Sequence, residues 1–202
     1  MIDTKWRGAY QTYLIEPLLK KKWIQDRSPT TFTLAGLFLS LLIAALLPLG
    51  HPLLAFGCLV FSGFFDTLDG SLARYLKQDS PMGAALDICS DRLAEFAILL
   101  SLYLVSPQQR GLLCLLSLGS ILFCITTFLV VGIFTQNETK KSFYYSIGLI
   151  ERSEAFVFFG AMILFPEAFL ILATTFSSLV FLTGTLRLKQ FVKNFSTEVE
   201  SP

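Results

Sequence analysis

Six stretches of this chain are largely apolar and close to or above the ~20 residues that a helix needs to cross a bilayer, at 1.5 Å per residue against a hydrocarbon core of about 30 Å. They run over about 31–49, 52–76, 83–105, 110–134, 147–165 and 167–188. In lipid every backbone amide must bond within its own segment, so blocks of this kind fold as helices. Turn formers separate them: Pro48 and Gly50, then Ser80 and Pro81, then Pro166. Hydrophobic residues make up 53% of the 202 and charged residues only 15%, too little charge for a soluble domain of this size. The expected fold is an all-α membrane protein of six transmembrane helices.

Residues 2–26 read as an amphipathic juxtamembrane helix. Trp6, Tyr10, Tyr13, Leu14, Leu18 and Trp23 supply the interfacial face, and Lys5, Arg7, Lys20, Lys21 and Lys22 supply positive charge for lipid headgroups. The chain therefore divides into this helix (1–30), a six-span domain (31–190) and a tail (191–202). No cleavable signal peptide is visible in the first 30 residues. Lys/Arg placement sets the orientation. Arg74, Lys77, Lys140, Lys141, Arg187, Lys189 and Lys193 share one side with the N-terminal arm, whereas the other side has only Arg110. By the positive-inside rule both termini face the cytosol. A net charge of +1 gives no reason to expect a nucleic-acid partner. Cys58, Cys89, Cys114 and Cys124 sit in apolar blocks without a CxxC spacing and read as small buried residues.

The second and third blocks break the membrane pattern. They carry Asp66, Asp69, Asp87 and Asp91, with Arg74, Arg92 and Glu95 beside them. Intramembrane charge is costly and marks a site or a pathway. Asp66, Asp69, Gly70 and Ala73 fall at i, i+3, i+4 and i+7, on one helix face, while Gly83, Asp87, Asp91 and Glu95 recur every four residues on another. The short link around Asp79, Ser80 and Pro81 makes the two helices antiparallel neighbours, so that the carboxylates meet at similar depth on the cytosolic half. So many carboxylates in one volume repel one another. Hard oxygen donors without His or Cys suit magnesium or manganese, two of which could clamp a diphosphate, and a remaining carboxylate could take a proton from an attacking hydroxyl. Gly70, Ala73 and Gly83 leave room on the same faces.

The string Asp66-Thr-Leu-Asp69-Gly70-Ser-Leu-Ala73-Arg74, followed by Gly83, Asp87 and Asp91 at four-residue steps, resembles the signature of the CDP-alcohol phosphatidyltransferases at all eight fixed positions. Ser28-Pro29-Thr30-Thr31-Phe32-Thr33 is similar to the family's Pro-Asn-x-x-Thr entry to the first span, with Thr30 in place of Asn. Gly148-Leu-Ile-Glu151-Arg152-Ser-Glu154 resembles the start of the fifth span in members that accept phosphorylated polyols, except that Ala155 stands where Arg is usual. The resemblance implies that Asp66, Asp69 and Asp87 share two Mg2+ or Mn2+ ions and that Asp91 adjoins the metals and acts as base. It also implies that Gly70, Ala73 and Arg74 form the CDP site, with Thr33 and Gly83 beside the substrate. The implied reaction moves the phosphatidyl group from CDP-diacylglycerol to a small polar acceptor and releases CMP. A homodimer with the cavity open to the cytosol is the implied assembly, and the compact length fits a bacterial or archaeal cytoplasmic membrane.

Arg152, at the cytosolic start of the fifth span, is expected to bind an acceptor phosphate. That favours glycerol 3-phosphate or inositol phosphate over serine or free inositol. Arg92 and Glu95 read as an ion pair within the bundle. Two alternatives share some of these features: a CDP-choline or CDP-ethanolamine phosphotransferase acting on diacylglycerol, and an intramembrane cation or solute transporter. The absence of an inverted repeat fits the transporter poorly.

Overall fold

Prolines punctuate the fold. In the computed structural model, which describes residues 10–136, 150 and 152–199, four of the long helices open on one: α1 (Pro29–Leu46), α2 (Pro52–Leu76), α3 (Pro81–Val105) and α4 (Pro107–Gln136). Proline suits the first helical turn because its missing N–H would have no partner there and its φ is already helical. Two more helices follow, α5 (Arg152–Leu164) and α6 (Phe169–Val199), the latter entered through a single 3-10 turn at Pro166–Ala168. All regular structure among the described residues is helical. Lys5, Trp6 and Arg7, the loop residues Lys140 and Lys141, and Gly148 and Glu151 lie outside the described residues.

Four helices are long and apolar enough to span a bilayer: Pro29–Leu46, Pro52–Leu76, Pro107–Phe134 and Pro166–Lys193. The protein is therefore a membrane protein. α3 matches α2 at 25 residues, but Asp87, Asp91, Arg92 and Glu95 dilute its apolar character. The 13 described residues of α5 reach only about 20 Å.

The N-terminal segment is not one continuous helix over its described part. A π-turn at Gln11–Ile15 leads into Glu16–Leu19, and a second short helix, Lys22–Gln25, follows a break at Lys21. Pro17 is the physical reason. It cannot donate to Tyr13, and the turn ahead of it widens so that the Glu16 amide reaches back to the Gln11 carbonyl. Lys21 is extended, at φ −79° and ψ 125°. Ile15, Leu19 and Ile24 nevertheless bury one face against Phe32 of α1 and Leu68 and Leu72 of α2. Tyr13 and Trp23 stay exposed.

α1 packs along both α2 and α3, α6 packs along α4, and α5 leans on α2 and α6. α2 and α3, expected as direct neighbours, approach each other less closely than either approaches α1, and the gap between them holds the carboxylates. The main core joins Ile43, Leu59, Ile98, Leu102, Phe159 and Phe176. Lipid is as apolar as leucine, so close packing and interhelical hydrogen bonds must hold such helices together. Both occur here. The Ser40 and Ser62 hydroxyls meet at 2.7 Å between α1 and α2, and those of Ser117 and Ser177 at 2.8 Å between α4 and α6. Gly63 takes the edge of Phe156 and Gly160 takes the edge of Phe56, so α2 and α5 notch into each other reciprocally.

Two side-chain expectations are corrected. Arg110, read as a loop charge, is buried. The connection expected there shrinks to Ser106 alone, because Pro107 already starts α4. The Arg110 guanidinium reaches the Leu102 carbonyl at 3.5 Å and lies 4.6 Å from the centre of the Phe169 ring. A cation placed this way satisfies the C-terminal end of α3 and stacks on α6. Of the cysteines, Cys114 is buried and Cys58 and Cys124 are half-buried, but Cys89 is exposed, since it points away from the face that α3 turns to α1.

Candidate active site

The acidic faces of α2 and α3 converge across the gap that α1 closes from one side. One oxygen each from Asp66, Asp69 and Asp87 lies within 4.8 Å of the others. The spacing explains it. Asp66 and Asp69 are one turn apart on α2, and Asp87 projects from the second turn of α3, which runs back toward them after the break at Lys77. Lys77 takes the left-handed conformation at φ 54° and ends α2. Ser80 then caps α3, its hydroxyl accepting a hydrogen bond from the Gly83 amide at 3.1 Å.

Asp69 is buried, at 5% relative exposure. Its Oδ2 atom and Oδ1 of Asp87 are both buried without a hydrogen-bond partner. A buried carboxylate oxygen left in that condition is costly. Three converging oxygen donors, two of them with unused capacity, fit a hard divalent cation in donor chemistry. Nitrogen or sulfur donors do not take part in the cluster.

Asp91 stands apart from that trio. Its carboxylate pairs with Arg152, whose Nη2 also lies 2.7 Å from Oδ1 of Asp66. Arg152 comes from the first turn of α5 and so ties α5 to both acidic helices. Its guanidinium lies 5.8 Å from the centre of the Phe156 ring, one turn along. Thr33 of α1, Ser62 and Asp66 of α2, Asp91 of α3 and Arg152 line one small cavity beside the trio. The expected Arg92–Glu95 pair forms within α3 at 2.7 Å, with the Glu95 side chain only 12% exposed.

The remaining expected site residues fall nearby, with different surroundings. The Arg74 guanidinium folds back along α2. A Cβ on Gly70 would lie 3.6 Å from its Nη1, and its Nη2 donates to the Ser71 hydroxyl at 3.3 Å. The same hydroxyl accepts from Gln11 of the N-terminal segment at 3.0 Å. Ala73 is half-buried. A Cβ on Gly83 would press on the Ser80 hydroxyl at 3.2 Å, so this glycine serves the cap of α3.

The sequence reading named Arg152 but did not anticipate that it bridges Asp66 and Asp91, although a cation at the end of a span facing two acidic faces was a usable signal. It also missed Ser62, which lines the cavity and bonds Ser40. A lone serine in an apolar block carries no such signal.

The family model described as CDP-alcohol phosphatidyltransferase matches residues 27–186. The inner membrane protein YnjF of Escherichia coli is 29% identical over 171 residues, covering 79% of this chain and 81% of its own. A phosphatidylinositol phosphate synthase of Mycobacteroides abscessus is 29% identical over 143 residues, covering 70% of this chain and 64% of its own. Among solved structures, Mycobacterium tuberculosis phosphatidylinositol phosphate synthase (PgsA1) with CDP-DAG bound superimposes with a TM-score of 0.61 at 21% identity. The match covers 94% of this chain and 95% of that one, and at this identity it speaks for the fold.

Proposed function

The chain belongs to the CDP-alcohol phosphatidyltransferase family, and from that premise we propose that it transfers the phosphatidyl group of CDP-diacylglycerol to a hydroxyl of a phosphorylated polyol, inositol phosphate or glycerol 3-phosphate, with release of CMP. The observation that carries this reading is the Asp66, Asp69 and Asp87 trio with a guanidinium, Arg152, bridging Asp66 and Asp91 at its side. A phosphorylated acceptor needs a cation to receive its phosphate next to the base, and Arg152 is a planar donor suited to that contact. The relatives named as phosphatidylinositol phosphate synthases support the same acceptor class.

Asp66, Asp69 and Asp87 would hold two magnesium or manganese ions. When bound, these ions neutralise the diphosphate and stabilise the departing CMP. Asp91 takes the proton from the acceptor hydroxyl as that oxygen attacks the β-phosphorus bearing the lipid. Arg152 orients the acceptor through its phosphate. Gly70, Ala73 and Arg74 receive the CDP moiety, with Thr33 and Gly83 at its margins. Around this site we place a six-span domain over 31–190, a juxtamembrane segment over 1–30 and a tail over 191–202. Both termini and the cavity mouth face the cytosol, and the assembly is a homodimer.

The test follows CMP release from CDP-diacylglycerol in detergent with magnesium or manganese. The acceptors are inositol phosphate, glycerol 3-phosphate, inositol and serine, with Asp91→Asn beside the wild type. Metal-dependent release with a phosphorylated acceptor, reduced at least about a hundredfold in the variant, is the expected result. Release only with serine or free inositol would overturn the acceptor class. CMP formed only from CDP-choline or CDP-ethanolamine with diacylglycerol would overturn the donor.

A further inference from the structure

Asp66 serves two groups. It is one corner of the carboxylate trio, and its Oδ1 is held by Arg152 at 2.7 Å. The same Nη2 atom also holds Asp91, so one guanidinium nitrogen engages the trio and the carboxylate outside it. Arg92 is engaged by Glu95 within α3, which leaves Arg152 as the cation that pairs with Asp66 and Asp91. Oδ2 of Asp69 and Oδ1 of Asp87, the other corners of the trio, are buried without a hydrogen-bond partner. Arg152 and a divalent cation held by the trio would therefore draw on the same carboxylate.

We propose that Arg152 is a resident counter-ion that competes with the divalent cation for Asp66, and that an anionic acceptor, by drawing Arg152 away, makes acceptor and cation bind cooperatively. The inference rests on the functional reading above for the position of the cation and the phosphate on the acceptor. The physical argument is linkage. A positive charge next to a metal ligand lowers that ligand's availability and repels the incoming cation. A phosphate that forms a bidentate pair with the guanidinium relieves both effects. If acceptor tightens cation binding by some factor, cation must tighten acceptor binding by the same factor. The arrangement also ties the release of Asp91 to the arrival of the acceptor whose hydroxyl it faces, so the base is freed only when there is a proton to take.

The test measures Mn2+ binding to the purified full chain by electron paramagnetic resonance of free Mn2+, without nucleotide lipid. R152Q is expected to bind Mn2+ about tenfold or more tightly than wild type, because a unit charge close to a divalent ion is removed. R152K, which keeps the charge but not the fork, is expected to stay within about threefold of wild type. Inositol phosphate or glycerol 3-phosphate, with Mn2+ chelation by the acceptor itself subtracted, is expected to tighten Mn2+ binding by wild type and to leave R152Q unchanged. Equal or weaker Mn2+ binding by R152Q overturns the competition. Should R152Q fail to fold, the acceptor titration of wild type stands alone, and no tightening there overturns the proposal. Absence of Mn2+ binding by wild type is a different failure, since it removes the cation from the site and the functional reading with it.

Discussion

Gly63 sets the distance at which Arg152 meets Asp66, and replacing it with valine should damage the fold and the site together. A Cβ at this position would lie 3.0 Å from Cε1 and 3.1 Å from Cδ1 of Phe156. Non-bonded carbons prefer roughly 3.5–4.0 Å, so the ring must retreat by about half an ångström before the valine methyls are counted. Phe156 lies one turn beyond Arg152 on α5, and Gly63 lies one turn before Asp66 on α2. The displaced helix therefore carries the guanidinium away from its carboxylates. Overpacking of this kind costs about 1–3 kcal/mol. Valine recovers a few tenths of a kcal/mol over glycine in helix propensity. The net expectation is a loss of about 2 kcal/mol, or a fall in Tm of roughly 4–8 °C for a chain of this size. The assay is thermal unfolding in detergent, with CMP release measured on the same preparations below the transition. Phe156→Leu removes the ring edge. The double variant should then be at least about 1 kcal/mol better than the sum of the single effects, as expected for residues in direct contact. Additive losses, or a Gly63→Val protein as stable and active as wild type, would refute the notch.

Two further expectations concern stability alone. Phe159 is fully buried, its ring centre 5.2 Å from that of Phe176 in a tilted contact between α5 and α6, so Phe159→Ala should cost about 3–5 kcal/mol through the cavity it leaves; a loss under 1 kcal/mol in thermal unfolding would place the ring outside the core. Ser80→Ala removes the acceptor for the Gly83 amide at the start of α3 and should cost about 1 kcal/mol, whereas Ser80→Asp, which can also cap, should restore wild-type unfolding.

The helix boundaries were legible because prolines and apolar block lengths are local signals. Pro52, Pro81 and Pro166 open elements where the sequence places them. Pro107 was overlooked, because the polar run Gln108, Gln109 and Arg110 reads as loop, yet it is the first turn of α4. The burial of Arg110 depends on Leu102 and Phe169, one on the preceding helix and one far along the chain, and nothing near Arg110 announces either. The three oxygen donors were legible from periodicity, since Asp66 and Asp69 had to share a face. The relation of α2 to α3 was not. A short turn predicts that two helices are antiparallel, but which helix fills the space between them is decided by α1 through Gly36, where a Cβ would stand 3.3 Å from the Ser62 carbonyl.

Charge matching explains how α2 and α3 tolerate so many ionised groups, and it is the ground on which the trio is proposed to take a cation. Each buried ion must be paired or lose heavily in desolvation. Arg92 matches Glu95 within α3, and Arg152 is shared by Asp66 and Asp91 across three helices. Asp69 and Asp87 are each left with one buried oxygen that has no hydrogen-bond partner, and among the described residues no guanidinium or ammonium forms an ion pair with them. The protein therefore leaves its negative charge unmatched at two facing carboxylates while matching it one turn away along each helix, at Asp66 and Asp91. Such a deficit would be an unexplained cost in a scaffold. In the proposed reaction it is what a divalent cation, arriving with a diphosphate, would correct. The same accounting predicts that Asp69→Asn, which removes part of the deficit while keeping the shape, should unfold at a higher temperature than wild type in metal-chelated detergent, while failing to release CMP in magnesium. A variant less stable than wild type under chelation would mean that the trio is held by contacts of its own and not kept in readiness for a cation.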